Sequence, residues 1–146
     1  MFNEASIEID RPIADVFEYT IHNVPDWSLT VVEDKVIEQT PDHVGTTFLC
    51  VTQDRGKRLD FDGLVTRHEP PTFSACQLVG SMFDIDVEYE FEDLSGRTRV
   101  TQRSTVKPKG FTKVMFFLIG WAMKGSACDA VNNELESLKS KVEGQT

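Results

Sequence analysis

The sequence predicts an α+β domain in which a curved antiparallel sheet of about seven strands wraps around one long C-terminal helix. The segment from Phe111 to Val142 contains no proline and repeats its apolar residues at three- and four-residue steps, as one face of a helix does. From Phe83 to Glu92, apolar and acidic residues alternate, which is typical of a strand with one dry and one wet face. A sheet with one dry face needs a covering layer, and the long helix supplies it.

The other elements follow from spacing and turn residues. We expect strands over Phe2–Ile9, Val31–Gln39, Thr46–Gln53, Leu59–His68, Phe73–Val79, Met82–Glu92 and Arg97–Lys107. A short helix should run from Ile13 to His22 after Pro12, and a second short helix or lid should include Trp27 and Leu29. No linker or repeat interrupts the chain, so we expect a single domain over residues 1–146.

Composition limits the partners. The 146 residues carry a formal net charge of −9, whereas nucleic-acid binding requires a basic surface. The same charge disfavours docking on an anionic membrane. The apolar run Val114–Met123 is about half as long as a membrane-spanning helix, so we expect no integral membrane segment.

Cysteine usage and the first residues predict a cytoplasmic protein. Cys50, Cys76 and Cys128 are odd in number and lack CxxC spacing, which is typical of reduced, buried thiols. The segment Met1–Glu4 has no basic stretch followed by an apolar one, so no signal peptide is expected.

Several loose motifs recur in the order seen in one superfamily. They are Ile9–Pro12 with Val16 and Phe17, Trp27, Val44–Phe48, Val65–Pro71, Tyr89–Glu92 with Gly96–Thr101, and Leu135–Lys139. Together with the element order, they resemble the START-like, helix-grip proteins (SRPBCC), which include the Bet v 1 allergens and the polyketide cyclase/dehydrase-like proteins. The resemblance implies a deep apolar cavity between sheet and helix that holds lipids, sterols, polyketides or other flat hydrophobic ligands. It does not imply one reaction.

Large apolar side chains on the predicted inner surfaces are the candidates for lining such a cavity. They are Phe17, Trp27, Phe48, Phe61, Phe83, Ile85, Phe117, Trp121 and Met123, and Lys124 shares their helix face. Each aromatic residue has the alternative of filling a solid core. Lys124 either extends its ammonium into solvent or provides the counter-charge for a carboxylate or phenolate ligand. Alternation leaves open which face of strands 46–53 and 59–68 is turned inward.

No catalytic signature is present, and the catalytic residues stay unknown. His22, His43 and His68 each end an element without a second ligand at metal-binding spacing, so we expect no metal site, and nothing calls for a cofactor. His22 with Asp26 forms either an acid–base pair or, more simply, a surface pair. The carboxylates from Asp84 to Glu92 lie opposite the apolar stripe and form a solvated face.

Two functions therefore remain. The first is non-catalytic binding of a hydrophobic small molecule, and the alternative is a cyclase-, hydratase- or dehydratase-type enzyme acting in the same cavity. An enzyme needs at least two convergent titratable groups, and the sequence offers only Lys124, Tyr89, Gln102 and His22. We therefore favour binding.

The predicted long helix carries a second apolar cluster opposite its inward stripe. Met115, Leu118 and Ile119 form it together with Ala122. A single sheet covers only one helix face, so we expect this cluster to contact a second copy of the chain or another partner, or to lie under the lid around Val24–Leu29.

Overall fold

The computed structural model describes residues 2–54, 56–109 and 124–144. In these ranges the elements, in chain order, are β1 (Phe2–Ile9), α1 (Ile13–His22), α2 (Val24–Trp27), β2 (Val31–Glu38), β3 (Thr47–Asp54), β4 (Lys57–Glu69), β5 (Phe73–Val79), β6 (Phe83–Asp93), β7 (Thr98–Pro108) and α3 (Lys124–Glu143). The predicted strands and short helices agree with these bounds to within two residues. The predicted helix from Phe111 is described only from Lys124 onward, so its apolar cluster of Met115, Leu118 and Ile119 lies outside the described residues.

The strands form one curved antiparallel sheet in the order β1-β7-β6-β5-β4-β3-β2. From β2 to β7, each strand pairs with the next one in sequence, because short turns join antiparallel neighbours. β1 closes the other side by pairing with β7, from Phe2 opposite Thr105 to Ile9 opposite Thr98. The predicted fold class is thereby confirmed.

The alternation in β6 separates an outer, charged face from an inner, apolar one. Its carboxylates pair across to β7 and the residue after it: Asp84 Oδ1 lies 2.8 Å from Lys109 Nζ, Asp86 Oδ2 lies 2.5 Å from Lys107 Nζ, and Glu90 Oε2 accepts from Arg103 at 2.8 Å. Pairs of this kind on an exposed surface contribute little stability, about 0–1 kcal/mol each. Their main consequence is that the outer face stays wet, as the sequence predicted.

One end of the inner face is a solid core that we call the packed end. Its members are Ala5, Ile9, Val16, Phe17, Trp27, Phe91, Val100, Leu135, Leu138 and Val142. None of these side chains is more than 8% exposed. Three of them, Leu135, Leu138 and Val142, form the predicted stripe of α3, and burying each such side chain contributes roughly 1.5–3 kcal/mol.

Polar contacts fix the end of α3 against the corner between β1 and α1. Glu143 Oε2 accepts a hydrogen bond from the Asp10 backbone N–H at 2.9 Å and one from Lys139 Nζ at 2.6 Å. Lys139 also donates to the carbonyl of Glu8, 2.8 Å away. The ammonium of Lys139 and then the Asp10 N–H lower the pKa of Glu143. α3 thereby covers the β1 edge, which protects it from pairing with another chain.

Candidate functional site

The other end of the inner face carries a second apolar cluster, which we call the open end. Cys50, Phe61 and Leu78 are buried there, and Val31, Phe48, Leu59, Cys76, Phe83, Ile85 and Val87 are only partly buried around them. The strand registers settle the faces that alternation left open. Cys50 lies opposite Phe61, and Phe48 opposite Gly63, so Phe48, Cys50 and Phe61 all point to the side covered by α3.

Two glycines make room for the aromatic rings of the open end. A Cβ on Gly63 would lie 2.3 Å from the ring of Phe48, and one on Gly80 would lie 2.7 Å from the ring of Phe61. The ring of Phe61 in turn contacts that of Phe83, with centroids 5.6 Å apart. The Phe48 ring therefore lies directly over Gly63.

The structure divides the predicted site residues between the two ends. Phe48, Phe61, Phe83 and Ile85 come together at the open end. By contrast, Phe17 and Trp27 are each 1% exposed and belong to the packed end. There the Phe17 ring contacts Phe91 at 5.1 Å, and Trp27 Nε1 donates to the Thr20 carbonyl at 3.1 Å. Phe117, Trp121 and Met123 lie outside the described residues, as does the side chain of Lys124, the first residue of α3.

Asp34 is an inward-facing carboxylate that the sequence reasoning missed. It lies opposite Cys50 in the β2–β3 ladder and so shares the face of Phe48 and Phe61. Its side chain is exposed, yet burial raises its pKa. A β-bulge between Val31 and Glu33 sets this orientation, and strand alternation alone does not reveal such a bulge.

Asp34 and Tyr89 of β6 share the inner face of the curved sheet, which we call the trough. Burial raises the pKa of the Tyr89 hydroxyl, and the charges of Cys76, Glu134, Cys50 and, last, Asp34 add to the rise.

Tyr89 lies at the boundary between the two ends. Its ring contacts Trp27 at 6.3 Å and Phe91 at 6.5 Å, both members of the packed end. Across the β6–β7 ladder it is opposite Gln102, whose Oε1 is buried without a hydrogen-bond partner among the described residues. A buried acceptor of this kind costs free energy until a donor reaches it.

The two inward thiols are chemically quiet. Burial raises the pKa of Cys50 and of Cys76 to about 12, with the nearby Asp34 adding to both. Because the thiolate is the nucleophile, both residues are inert at neutral pH and act as small apolar groups.

Two polar side chains of α3 form hydrogen bonds with the segment between α2 and β2. Glu134 accepts from Ser28 Oγ at 2.7 Å and from the Leu29 backbone N–H at 2.8 Å. One turn further, Ser137 Oγ donates to the Trp27 carbonyl at 2.6 Å. Burial raises the pKa of Glu134, and these hydrogen bonds oppose the rise. This carboxylate is therefore engaged in holding the chain between α2 and β2 in place.

The three histidines gather near one another, which their distant sequence positions concealed. The rings of His43 and His68 lie 4.4 Å apart, and His68 also contacts Phe17 at 5.7 Å. His22 pairs with Glu18, at 3.3 Å, and not with Asp26 as the sequence suggested. Within the described ranges no group of three or more histidine, cysteine or acidic side chains is arranged to hold a metal ion.

A surface depression between α1 and the end of α3 is an alternative place for a ligand. It is lined by Arg11, Asp15, Glu18, Tyr19, His22, Asn23 and Val142. Most of these side chains are charged or polar, and Glu18 and His22 pair with each other. Such a surface suits water better than an apolar molecule, so the open end is the better candidate.

Comparison with solved structures identifies the fold. The START superfamily protein from Mycobacterium smegmatis is 14% identical, with a TM-score of 0.83 over 99% of both chains. The Zhui aromatase/cyclase from Streptomyces sp. R1128 is 10% identical, with a TM-score of 0.75 over 98% of this chain and 93% of that one. The Bet v 1 allergen Ara h 8.0201 is 12% identical, with a TM-score of 0.66 over 99% of both chains. The chain has the START-like, Bet v 1-like fold that its sequence resembles.

Comparisons at the level of sequence add no closer relative. No protein-family model matches the chain, and no curated protein does. Likeness at these low identities shows the fold alone, because one fold hosts many functions. Among the helices of the described ranges, none has the length and apolar character needed to cross a membrane.

Proposed function

We propose that the chain binds a hydrophobic small molecule, such as a lipid, a polyketide or another aromatic or isoprenoid compound, at the open end of its inner face. The observation that carries this proposal is incomplete burial. Phe48, Phe83 and Ile85 face the side that α3 covers, yet they keep part of their surface exposed. Protein interiors normally pack at crystal-like density, so exposed aromatic surface on an inner face is available to an apolar ligand.

Val36 extends this surface to the rim. It shares the inner face because it lies opposite Phe48 in the β2–β3 ladder, and it is 56% exposed. Apolar lining that continues from a buried floor to an accessible rim is the arrangement that lets a hydrophobic molecule enter from water.

A second candidate is a cyclase- or dehydratase-type enzyme in the same trough. Asp34 favours it, because a carboxyl group whose pKa is raised by burial is closer to the range useful for moving protons near neutral pH. The shared fold of the Zhui aromatase/cyclase is compatible with this candidate. The inert thiols and the engagement of Glu134 with Ser28 and Leu29 leave Asp34 with few catalytic companions, so binding is the better-supported function.

The test places a larger side chain in the trough and compares its effect on ligand binding with that of the same substitution on the outer face. Ile85→Trp adds bulk beside Leu78, its partner across the β5–β6 ladder. Leu64→Trp adds the same bulk on the outer face, where Leu64 is 38% exposed. We expect a neutral fluorescent probe, N-phenyl-1-naphthylamine, to bind the wild type and Leu64→Trp, and to bind Ile85→Trp at least tenfold more weakly.

Native mass spectrometry of the same three proteins identifies the ligand class. A hydrophobic compound that co-purifies with the wild type and Leu64→Trp, but not with Ile85→Trp, supports binding at the open end. Equal probe binding by all three proteins, or none by the wild type, would overturn the proposal.

A further inference from the structure

The carboxylate of Asp34 differs from those on the outer face of the sheet. Outer carboxylates such as Asp84, Asp86 and Glu90 each have a lysine or arginine within 2.8 Å. Asp34 takes part in none of the ion pairs or side-chain hydrogen bonds formed among the described residues, and burial alone shifts its pKa. It is therefore an inward charge that this part of the chain leaves unpaired.

Basic residues are scarce on the inner face. The strand registers assign its positions, and among the described strand residues only Lys57, at the tip of the β3–β4 hairpin, places a lysine or arginine there. Lys57 is exposed and pairs in the ladder with Asp54, several residues from the open end. As far as the described strand residues form it, the open end of the trough is therefore apolar with a negative charge at one side.

A second acceptor lies deeper in the trough. Gln102 Oε1 is buried and has no hydrogen-bond partner among the described residues. Gln102 is opposite Tyr89 in the β6–β7 ladder and so lies on the same inner face as Asp34. Among the described residues, neither polar feature, the carboxylate of Asp34 or the amide oxygen of Gln102, receives a donor.

We infer that the open end selects hydrophobic ligands that carry a basic amine, with the ammonium paired to Asp34 and the apolar part against Phe61, Phe83 and Ile85. This inference rests on the proposed function and specifies its ligand class. An ammonium would give Asp34 the counter-charge that the described residues do not provide, while the apolar part of the same ligand covers the lining beside it. A fatty carboxylate would instead bring a like charge beside Asp34 and leave Gln102 Oε1 without a donor.

The experiment compares three ligands that differ only in their head group. Decylamine, decanol and decanoate, each below its micellar concentration, are titrated into the full chain at pH 8 by calorimetry. We expect decylamine to bind at least tenfold more tightly than decanoate, with decanol between them. Asp34→Asn should weaken decylamine at least tenfold and leave decanol within twofold. Asp62→Asn, on the exposed outer side of β4, should change neither affinity.

The outcomes separate this inference from the proposed function. If decanol binds but decanoate binds as tightly as decylamine, the amine preference is wrong and hydrophobic binding stands. The preference also fails if Asp34→Asn leaves the affinity for decylamine unchanged. If none of the three ligands binds the wild type, the proposed function itself fails. Thermal melts show whether Asp34→Asn folds. If it does not, the order of the wild-type affinities for decylamine, decanol and decanoate tests the amine preference.

Discussion

The packed end and the open end belong to the same inner face and share strand β6, yet their residues differ in how deeply they are buried. At the packed end, Phe91 is 3% exposed and meets Leu135 and Leu138 of α3 in one cluster. At the open end, eight residues earlier on the same face, Phe83 is only partly buried. Identical side chains on one strand therefore have different surroundings: Phe91 is enclosed in the core, whereas Phe83 keeps part of its surface exposed, and we propose that this surface serves a ligand.

The difference follows from where the long helix is anchored. Ser137 and Lys139 fasten the last turns of α3 to α2 and β1, and Glu143 fastens them to the backbone of Asp10, just after β1. Contacts at that end close the core completely. Stability is therefore concentrated where the helix is fixed, and the rest of the trough can keep unfilled apolar surface without unfolding the domain.

The largest expected effect compares Phe91→Ala with Phe83→Ala. Removing a fully buried ring leaves a cavity, so Phe91→Ala should lower the free energy of unfolding by about 3–5 kcal/mol. Phe83→Ala should lower it by less than about 2 kcal/mol, because that ring is already partly exposed, and should weaken binding of N-phenyl-1-naphthylamine instead. Urea unfolding measures both costs. Equal losses of stability would show that the open end is as solid as the packed end.

A smaller effect is expected at the floor of the open end. Gly63→Ala puts a methyl group where the Phe48 ring lies, 2.3 Å from the nearest ring atom. The ring must turn away, at a cost of about 1–3 kcal/mol. The double variant Gly63→Ala/Phe48→Ala should recover part of that loss, because the clash is gone. If the two single effects simply add in urea unfolding, the ring does not lie over Gly63.

The hydrogen bonds between α3 and the segment before β2 should contribute still less to the free energy of unfolding. Ser137→Ala removes the hydroxyl that donates to the Trp27 carbonyl, and we expect a loss of about 1 kcal/mol. Ser140→Ala, one turn later on the exposed side of α3, is the matched control and should change the melting temperature little. Similar melting temperatures for the two variants would show that the hydrogen bond from Ser137 to Trp27 does not stabilise the fold.

The smallest expected effect is a dependence of stability on pH that comes from His68, beside the β2–β3 turn. Burial, then the neighbouring His43 and His22, lower the pKa of His68, and Glu18 opposes them. The unfolded chain therefore takes up this proton at a higher pH than the folded one. Stability should be full above the ordinary histidine pKa of about 6.5 and should fall as the pH drops below it.

Urea unfolding between pH 5 and pH 8 tests this dependence. His68→Phe keeps an aromatic ring beside Phe17 and should flatten the profile, whereas His22→Gln retains His68 and should preserve most of it. An unchanged slope in His68→Phe would assign the pH dependence to other groups.

Much of the fold could be predicted because it depends on local periodicity. Alternation in β6 and the stripe of Leu135, Leu138 and Val142 were visible in the sequence, and both are confirmed. Gly56 adopts the positive φ, 79°, that suits the turn between β3 and β4. Each of these features is decided by residues close to one another in the chain.

The candidate site was predictable only in part. Phe83 and Ile85 could be assigned to the inner face from alternation, whereas Phe48 and Phe61 were candidates whose face only the strand registers decided. The sequence did not separate them from Phe17 and Trp27, because an aromatic side chain has the same pattern whether it fills a core or lines a trough. Asp34 was missed altogether, since a single acidic residue on an edge strand looks like ordinary surface.

The sequence by itself thus determined the elements, their order and the two faces of the best-patterned strand, since propensity and period act over a few residues. Tertiary structure decided the rest. Bulges near Val31 and Val65 turn Asp34 and His68 inward by breaking the two-residue period. The pairing of the strands places Asp34 and Tyr89 on one face, and the described part of α3 encloses the packed end but leaves residues of the open end partly exposed. Such relations join residues tens of positions apart, and only the folded chain brings them together.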